Sequence, residues 1–245
     1  MSSAPIHLGA ERLMLEPGGA VLWPAQKLMA VADLHLEKGS AAAAKGSLLP
    51  PWDSAATLDR LALLLRRHKP AVTVLLGDSF HDRAGASRLA AAERERLGLM
   101  ARATRLVWVL GNHDPEAPSG LPGEAVAEFV LGGLVFRHQA RPGARLEVSG
   151  HFHPKASIPA RGATVSRPCF VADSRRLILP ALGAYTGGLD VHDPAIAGLF
   201  PRGGRVFLLG QGRLFSFPYQ GRAARGAAEA LPEGTLPAGQ GAFKL

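Results

Sequence analysis

The sequence has very little cysteine. Cys169 is the only one in 245 residues, so a disulfide within the chain is impossible and a thiolate metal site of one chain is excluded. Any metal ion that the chain binds must therefore be held by His, Asp, Glu or Asn side chains.

Long hydrophobic runs are also missing. The longest uncharged, apolar-leaning run, 177–189, is broken by Pro180 and three glycines and is too short to cross a bilayer as a helix. The first residues carry Glu11 and Arg12 before any apolar stretch, unlike a secretory signal peptide. We therefore expect a cytoplasmic protein with no membrane partner.

The composition is that of a globular protein with a basic excess. It is 47% hydrophobic and 20% charged, and its length favours one large α/β domain. The formal charge of +8 is concentrated in residues 121–245, with 14 basic and 8 acidic side chains against 14 and 12 in residues 1–120. A basic half can attract nucleic acid, although arginine-rich composition can equally reflect a solvated surface.

Strand and helix patterns alternate in the first half of the chain. The spacing of leucines predicts a helix over 51–69, capped by Asp53 or Ser54, and a second helix over 87–102. Short apolar runs with the pattern of buried strands occupy 27–32, 72–76 and 106–110. This alternation predicts an α/β fold with a parallel sheet whose site lies beyond the carboxyl ends of its strands.

After residue 125 the pattern changes to strands and turns, which predicts a second, largely antiparallel sheet. The strand candidates are 128–138, 145–150, 176–181 and 205–217. We expect one domain over residues 1–218, followed by a tail rich in Gly, Pro and Ala over 219–245 that is mobile or draped on the surface.

Residue types that commonly serve as metal ligands follow several of the predicted strands. Taken singly, each has an ordinary explanation, since Asp78 could cap a helix, Asn112 could form a turn and His138 could be a satisfied core histidine. Their joint occurrence at successive strand ends indicates a metal site. The motifs are ADLHLEKG with Asp33 and His35, GDSFHDR with Asp78, His81 and Asp82, GNHDPE with Asn112, His113 and Asp114, VFRHQA with His138, and SGHFHP with His151 and His153.

This set of motifs resembles the calcineurin-like metallophosphoesterase superfamily. The resemblance implies a metallophosphoesterase-type sandwich of two facing mixed β-sheets flanked by helices. It also implies two metal ions, with Asp78 bridging between them. The implied ligands are Asp33, His35, Asp78 and His153 for one ion, and Asp78, Asn112, His138 and His151 for the other.

The implied chemistry is phosphodiester hydrolysis by two divalent cations. Such ions can share a hydroxide for in-line attack while they hold the phosphoryl oxygens. Mixed nitrogen and oxygen ligation fits Mn²⁺, Zn²⁺ or Fe²⁺, and of these Mn²⁺ is implied only by the narrower resemblance described next. His113 would stabilise or protonate the leaving oxygen, and Asp114 would orient His113.

A narrower resemblance is carried by DLHLEKG, LLPPWD, GDSFHD, FRH, SGHFHP and LPALGAYTGGLDV. Together they are similar to the bacterial ligase-associated DNA damage response endonucleases. This implies a DNA endonuclease in repair that associates with a helicase, a ligase or an exonuclease. Two alternatives stay open: a phosphodiesterase or pyrophosphatase for a small nucleotide, and a non-catalytic scaffold on the same fold.

Several residues near the motifs have undecided roles. His81 makes the GDSFHD spacing unusual, which leaves Asp82 as either an orienting residue or a surface acid. His81 and Arg83 are further candidates for contacting the substrate or the metal ligands. Segment 183–188, which contains Tyr185, is either a tight turn or a substrate loop. Segment 37–51 is either a plain connector or a substrate contact. Four arginines, which either contact phosphates or are solvated, are Arg137, Arg141, Arg175 and Arg176.

Overall fold

The fold was analysed in a computed structural model, which describes residues 2–144, 146–160 and 163–220. The predicted tail of 219–245 lies outside the described residues from residue 221 onward. Tyr219, by contrast, is buried and ends the last strand of the fold.

The first sheet has seven strands in sequence order. The first four strands pair antiparallel, and strands four to seven run parallel, as expected for the alternating strand and helix pattern. The strands are β1 (Ala4–Leu8), β2 (Glu11–Leu15), β3 (Val21–Trp23), β4 (Leu28–Ala32), β5 (Val72–Leu76), β6 (Arg105–Val109) and β7 (Glu124–Val126).

The second sheet has eight strands and is mixed. The strands are β8 (Phe129–Leu131), β9 (Leu134–Phe136), β10 (Glu147–Ser149), β11 (Lys155–Ala160), β12 (Ala163–Ala172), β13 (Arg176–Ile178), β14 (Gly204–Leu209) and β15 (Leu214–Tyr219). Their order is β15-β14-β12-β13-β10-β9-β8, and β11 pairs with β12. Most of its strand pairs are antiparallel, as predicted for this sheet. Strand β10 is the exception, because it is parallel to both β9 and β13.

Within the described residues, a short 3-10 helix (Pro24–Gln26) and five α-helices accompany the sheets: α1 (Lys38–Ala44), α2 (Asp53–His68), α3 (Gly85–Arg88), α4 (Ala91–Ala103) and α5 (Pro194–Ala197). The helix predicted over 51–69 is present as α2. The helix predicted over 87–102 is divided, because the chain is extended at Leu89 and Ala90 between α3 and α4. Segment 37–51 contains the short helix α1 rather than a plain connector.

The cap predicted for α2 is wrong. Neither Asp53 nor Ser54 caps the helix; their side chains instead contact the backbone of Gly39 and Glu37, just after β4. The start of α2 is thereby tied to the loop in which the first metal motif lies.

The two sheets pack face to face because their strands alternate between two cores. In β5, Val74 and Leu76 point between the sheets while Leu75 packs against the helices. In β12, Phe170 faces the first sheet and Cys169 lies in a third cluster on the outer side. The result is the expected sandwich with helices outside, which leaves the carboxyl ends of the parallel strands at one edge.

None of the helices in the described ranges combines the length and apolar character needed to span a membrane.

Candidate metal centre

The predicted ligands converge at one edge of the sandwich. Each motif begins within a few residues of a strand's carboxyl end, so parallel pairing brings the motifs together. Asp33 and His35 follow β4, Asp78 follows β5, Asn112 to Asp114 follow β6, His138 follows β9, and His151 and His153 follow β10.

The ligand loops have an unusual backbone. Five of the seven predicted ligands have positive φ, between 44° and 72°, a region that side chains other than glycine rarely adopt. They are Asp33, His35, Asp78, His151 and His153. Two glycines of the ligand loops are required because of limited space. A Cβ at Gly111 would collide with Asp78, and a Cβ at Gly150 would collide with Asp33.

Asp33, His35 and His153 form the first donor group, with one ligand atom from each residue lying within 4.8 Å of the others. The Nε2 atoms of His35 and His153 are 3.2 Å apart, and His153 Nε2 is 3.5 Å from Asp33 Oδ1. That Oδ1 is buried and accepts no hydrogen bond. A cation between these atoms would satisfy the buried carboxylate oxygen and the imidazole lone pairs together.

Asp78, His138 and His151 form the second donor group. His138 Nδ1 lies 3.1 Å from the carbonyl oxygen of Leu76, so this nitrogen carries the proton in the neutral ring. The unprotonated Nε2 then faces other acceptors, at 2.8 Å from Asn112 Oδ1 and 3.3 Å from Asp78 Oδ2. With the ring neutral, these lone pairs point at one another without a donor, so a cation bound in place of the Nε2 proton would satisfy them and the donor set fits a metal ion.

The two donor groups are joined through the backbone. The N–H of His151, which belongs to the second group, donates to Asp33 Oδ2 of the first at 2.9 Å. The N–H of His113 likewise donates to Asp78 Oδ1 at 2.9 Å. The loops therefore fix the two groups side by side.

The protonation states suit metal binding. Burial, followed by the charge of His153, lowers the pKa of His35 to about 3, so this ring is neutral at physiological pH. Burial likewise lowers the pKa of His151. Burial would raise the pKa of Asp78, but the hydrogen bond from His138 and the N–H of His113 outweigh it and bring it to about 2. At His138, burial would lower the pKa, but the hydrogen bond with Asp78 and the charge of Asp33 outweigh it and raise the pKa, so a metal ion has to compete with a proton for this ring.

The comparisons with known proteins agree with this geometry. The model of the calcineurin-like phosphoesterase family matches residues 26–143. The crystal structure of the nuclease MPE of Pseudomonas putida is similar with a TM-score of 0.70 and 30% sequence identity, covering 88% of this chain and 100% of that one. The chain belongs to the calcineurin-like phosphoesterase family.

Other comparisons add less. The phosphoesterase Yfce of E. coli shows a TM-score of 0.40 and 16% identity over 79% of this chain and 99% of its own. No curated protein sequence matches significantly. With its family established and its His and Asp groups assembled, the chain is a metal-dependent enzyme that hydrolyses phosphoesters.

In this phosphoesterase, His113 lies at the open side of the donor groups. Its side chain is 39% exposed, and Nε2 is 3.9 Å from Asp78 Oδ2. Its Nδ1 is 2.6 Å from the carbonyl oxygen of His81, so that carbonyl holds the Nδ1 proton and leaves Nε2 directed toward the site. The position fits a group that acts on substrate rather than a deeply buried ligand.

Asp114 does not orient the His113 ring, contrary to the expectation from the sequence. Its Oδ2 accepts from the N–H groups of Ser79 and Phe80, and its Oδ1 accepts from Gly111. Burial raises the pKa of Asp114 to about 6 even though these hydrogen bonds oppose the shift. Asp114 therefore holds the loops after β5 and β6 together, and the carbonyl of His81 orients the imidazole.

His81 has a larger place in the site than the sequence indicated. Its ring stacks on that of His113 at 5.4 Å and 28°, and its Nδ1 is 3.4 Å from Nδ1 of His35. Together, His35, His81 and His113 form a third group of nearby donors. The signal in the sequence was the extra histidine of GDSFHD, which local spacing alone could not place beside His35.

Asp82 and Arg83 form their hydrogen bonds and ion pairs with residues outside the donor groups. Asp82 accepts from the N–H of Ala84 at 3.0 Å and from Arg88 at 2.8 Å, which makes it a turn residue. Arg83 is 75% exposed and lies 3.9 Å from Glu116. Neither contact supports a direct role in the site.

Segment 183–188 packs against the ligand loops. A Cβ at Gly183 would meet the carbonyl oxygens of Leu34 and Asp33, and one at Gly188 would collide with His153. Tyr185 is half-buried, and its carbonyl accepts from Lys38 Nζ at 2.7 Å. The glycines therefore allow the backbone of this segment to pack closely against the ligand loops. This packing role differs from both alternatives considered from the sequence, a tight turn and a substrate loop.

Two of the four arginines belong to a buried ion network. Arg137 and Arg176 lie 3.6 Å and 3.4 Å from the two carboxylate oxygens of the fully buried Glu147. Arg141 pairs with Glu128 at 2.7 Å. Three of the four arginines are therefore paired with carboxylates, and two of these three lie in the interior of the protein.

Proposed function

We propose that this chain is a binuclear phosphodiesterase that cleaves DNA internally and serves in DNA repair. The observation that carries the proposal is the pair of adjacent donor groups, centred on Asp33 and Asp78, beside an exposed His113. The similarity to a structure described as a nuclease, over 88% of this chain, supports nucleic acid as the substrate.

Asp33, His35 and His153 would hold one metal ion, Asn112, His138 and His151 the other, and Asp78 would bridge the two. When bound, two such ions polarise the phosphoryl oxygens and lower the pKa of a bound water. The donor set suits Mn²⁺, with Zn²⁺ and Fe²⁺ as the other ions that mixed nitrogen and oxygen ligation admits.

His113 would act on the leaving oxygen. Because the carbonyl of His81 holds the proton on Nδ1, Nε2 can donate a proton only when the ring is the doubly protonated imidazolium. After donation, the neutral ring keeps Nδ1–H on the same carbonyl, so the imidazole does not have to turn over. This arrangement suits a general acid.

An open site favours a long substrate over a small nucleotide. The histidine that would meet the leaving group has a side chain that is 39% exposed, and Asn112 beside it is exposed. The complete donor groups argue against a non-catalytic scaffold. In the cell, we expect the enzyme to act alongside a repair helicase, ligase or exonuclease.

The first experiment measures hydrolysis of bis-p-nitrophenyl phosphate by metal-stripped protein that receives Mn²⁺, Zn²⁺, Fe²⁺ or Mg²⁺ singly. Single-stranded, nicked and intact duplex DNA are tested in parallel. Cleavage of circular single-stranded DNA together with the ester supports an endonuclease. Hydrolysis of the ester with all DNA intact would instead indicate an enzyme that acts on small nucleotides. Absence of activity on both substrates would favour a non-catalytic scaffold.

Asp78→Ala tests the bridging role. This variant should lose metal content and activity together, because it removes the carboxylate that would hold both metal ions. Asp59→Ala, which removes an exposed carboxylate that pairs with Arg96, is the matched control and should keep both. Full activity in Asp78→Ala would refute the assignment.

A further inference from the structure

An exposed apolar segment lies between α1 and α2. All five residues of Leu48–Trp52, with the sequence LLPPW, are exposed; Leu48 is 94% and Trp52 is 68% accessible. Single exposed apolar side chains are common on protein surfaces, but a contiguous run of them marks a binding surface more often. We call residues 45–52 the Trp52 loop.

The Trp52 loop is held firmly at its base. Just beyond Trp52, Asp53 Oδ2 accepts from the N–H of Gly39 at 3.1 Å, and Ser54 Oγ contacts Glu37. A Cβ at Gly39 would press on the backbone of Pro50 and Pro51, so α1 and the loop are in close contact. Two consecutive prolines also restrict the backbone. The apolar side chains are therefore presented on a stiff support.

The Trp52 loop is close to the metal centre. The Ser54 contact is made to Glu37, which is two residues beyond the ligand His35. Trp52 is two residues from Ser54, and His35 is two residues from Glu37. With about 3.8 Å between consecutive Cα atoms, the Cα atoms of Trp52 and His35 lie within about 22 Å of each other. At roughly 3.4 Å per nucleotide along a stacked strand, this is a reach of no more than about six nucleotides.

Positive charge accompanies the apolar side chains. Lys45 is exposed and begins the loop. Lys38, at the start of α1, extends to the carbonyl of Tyr185 beside the ligand loops. Arg88 contacts Ser40 of the same helix, although Asp82 offsets its charge. A strand running from the loop to the metals would therefore pass basic side chains suited to phosphates.

We propose that the Trp52 loop is a base-stacking platform for single-stranded DNA, with Trp52 and Leu48 contacting unpaired bases and Lys45 and Lys38 contacting the backbone. This inference rests on the proposed nuclease function and adds to it a binding element outside the donor groups. The occupant follows from the combination of a planar, exposed indole with flanking lysines, which is how single strands are bound without sequence preference.

Tryptophan fluorescence can test the contact directly. The chain has three tryptophans, and Trp23 and Trp108 are 1% and 2% exposed, so Trp52 alone is open to solvent. Titration of the metal-loaded enzyme with a single-stranded oligonucleotide of slowly hydrolysed phosphorothioate linkages should quench the red-shifted part of the emission. The same titration of Trp52→Phe should leave its emission nearly constant.

Kinetics supply a second readout. Trp52→Ala should raise KM for single-stranded DNA by about 5- to 150-fold, the range for removal of one stacked base. The same variant should lose kcat/KM on both substrates to different extents: the fold-loss for DNA should be at least ten times the fold-loss for bis-p-nitrophenyl phosphate. Trp52→Phe, which keeps an aromatic ring, should recover most of the loss. Leu99→Ala, which shortens a 52% exposed side chain on α4, is the matched control.

The outcomes are distinguishable. If the wild type cleaves DNA but Trp52→Ala and Leu99→Ala have the same KM and DNA leaves the fluorescence unchanged, the platform is refuted while the nuclease stands. If the wild type hydrolyses the ester and leaves all DNA intact, the nuclease function fails and the platform fails with it. Because Trp52 is exposed, equal thermal melting of the variants would exclude misfolding as the cause.

Discussion

At the scale of single residues, His113 is the side chain whose role is most open to a direct test. We expect His113→Ala to lower kcat by about 10²- to 10⁴-fold, the usual contribution of a general acid or base. Metal content should stay at the wild-type level, because the ring is not counted among the seven ligands. Elemental analysis with steady-state kinetics measures both.

The exposed His7 of β1 provides the control for this variant. His7→Ala should keep both kcat and bound metal. Loss of metal in His113→Ala would instead assign this ring to the third donor group, with His35 and His81, as a ligand.

Asp114 gives a prediction for stability against pH. Its folded pKa of about 6 lies above the ordinary value of 3.8, so the folded protein binds a proton more tightly than the unfolded chain. Its contribution to stability is present below about pH 4 and is lost as the pH rises through about 6. Two pKa units correspond to up to about 3 kcal/mol.

The test compares metal-free wild type with Asp114→Asn, which cannot titrate. The free energy of unfolding of the wild type minus that of the variant should fall between pH 4 and pH 6, as measured by urea denaturation. A difference that is constant over this range would contradict the raised pKa.

Residue types and their order along the chain were enough to predict which side chains converge at the candidate metal centre. They were not enough for contacts between motifs distant in sequence. The Asp114 hydrogen bonds and the stacking of His81 on His113 depend on how two loops meet after folding. The same is true of Glu147, whose burial converts two expected surface arginines into a buried network.

At the scale of elements, glycine determines how closely the ligand loops approach. Gly111→Ala would push a methyl group against the backbone and carboxylate of Asp78. We expect metal affinity to fall by roughly 10- to 100-fold, as for other changes behind a metal ligand. Calorimetric titration with Mn²⁺ measures this loss.

Gly98 in α4 is the matched control, because nothing lies within 4 Å of a Cβ at that position. Gly98→Ala should leave metal affinity unchanged and raise the free energy of unfolding by up to about 1 kcal/mol, since alanine favours helix over glycine. Equal metal affinity in both variants would remove the proposed packing role of Gly111.

Local patterns predicted the parallel strands and α2 well, because β4, β5 and β6 are short, buried and apolar on both faces. They failed where pairing depends on long connections. Strand β10 lies between β9 and β13 and runs parallel to both, which no turn signal in the sequence indicates. The caps expected at Asp53 and Ser54 failed for the same reason, since their partners are in another loop.

At the scale of the whole molecule, bound metal should raise stability. An ion that binds only the folded protein contributes about 2.7 kcal/mol at a concentration of 100 times its Kd. For a domain of this size, that corresponds to a rise in Tm of roughly 5–10 °C. Differential scanning calorimetry of metal-stripped protein with and without Mn²⁺ should show this rise.

The Asp78→Ala variant should show a much smaller rise in Tm, because it lacks the carboxylate that we propose to hold both metal ions. If Mn²⁺, Zn²⁺ and Fe²⁺ all leave the wild-type Tm unchanged, the donor groups do not bind these ions.

The left-handed backbone of the ligand residues has a consequence for selection. A side chain in this conformation costs of order 1 kcal/mol or more, whereas glycine adopts it freely. Replacing His153, at φ 45°, by glycine should therefore hold or raise the Tm of the metal-free protein while lowering its metal affinity. Selection for thermal stability alone would favour glycine at these positions, which we expect a function in metal binding to oppose.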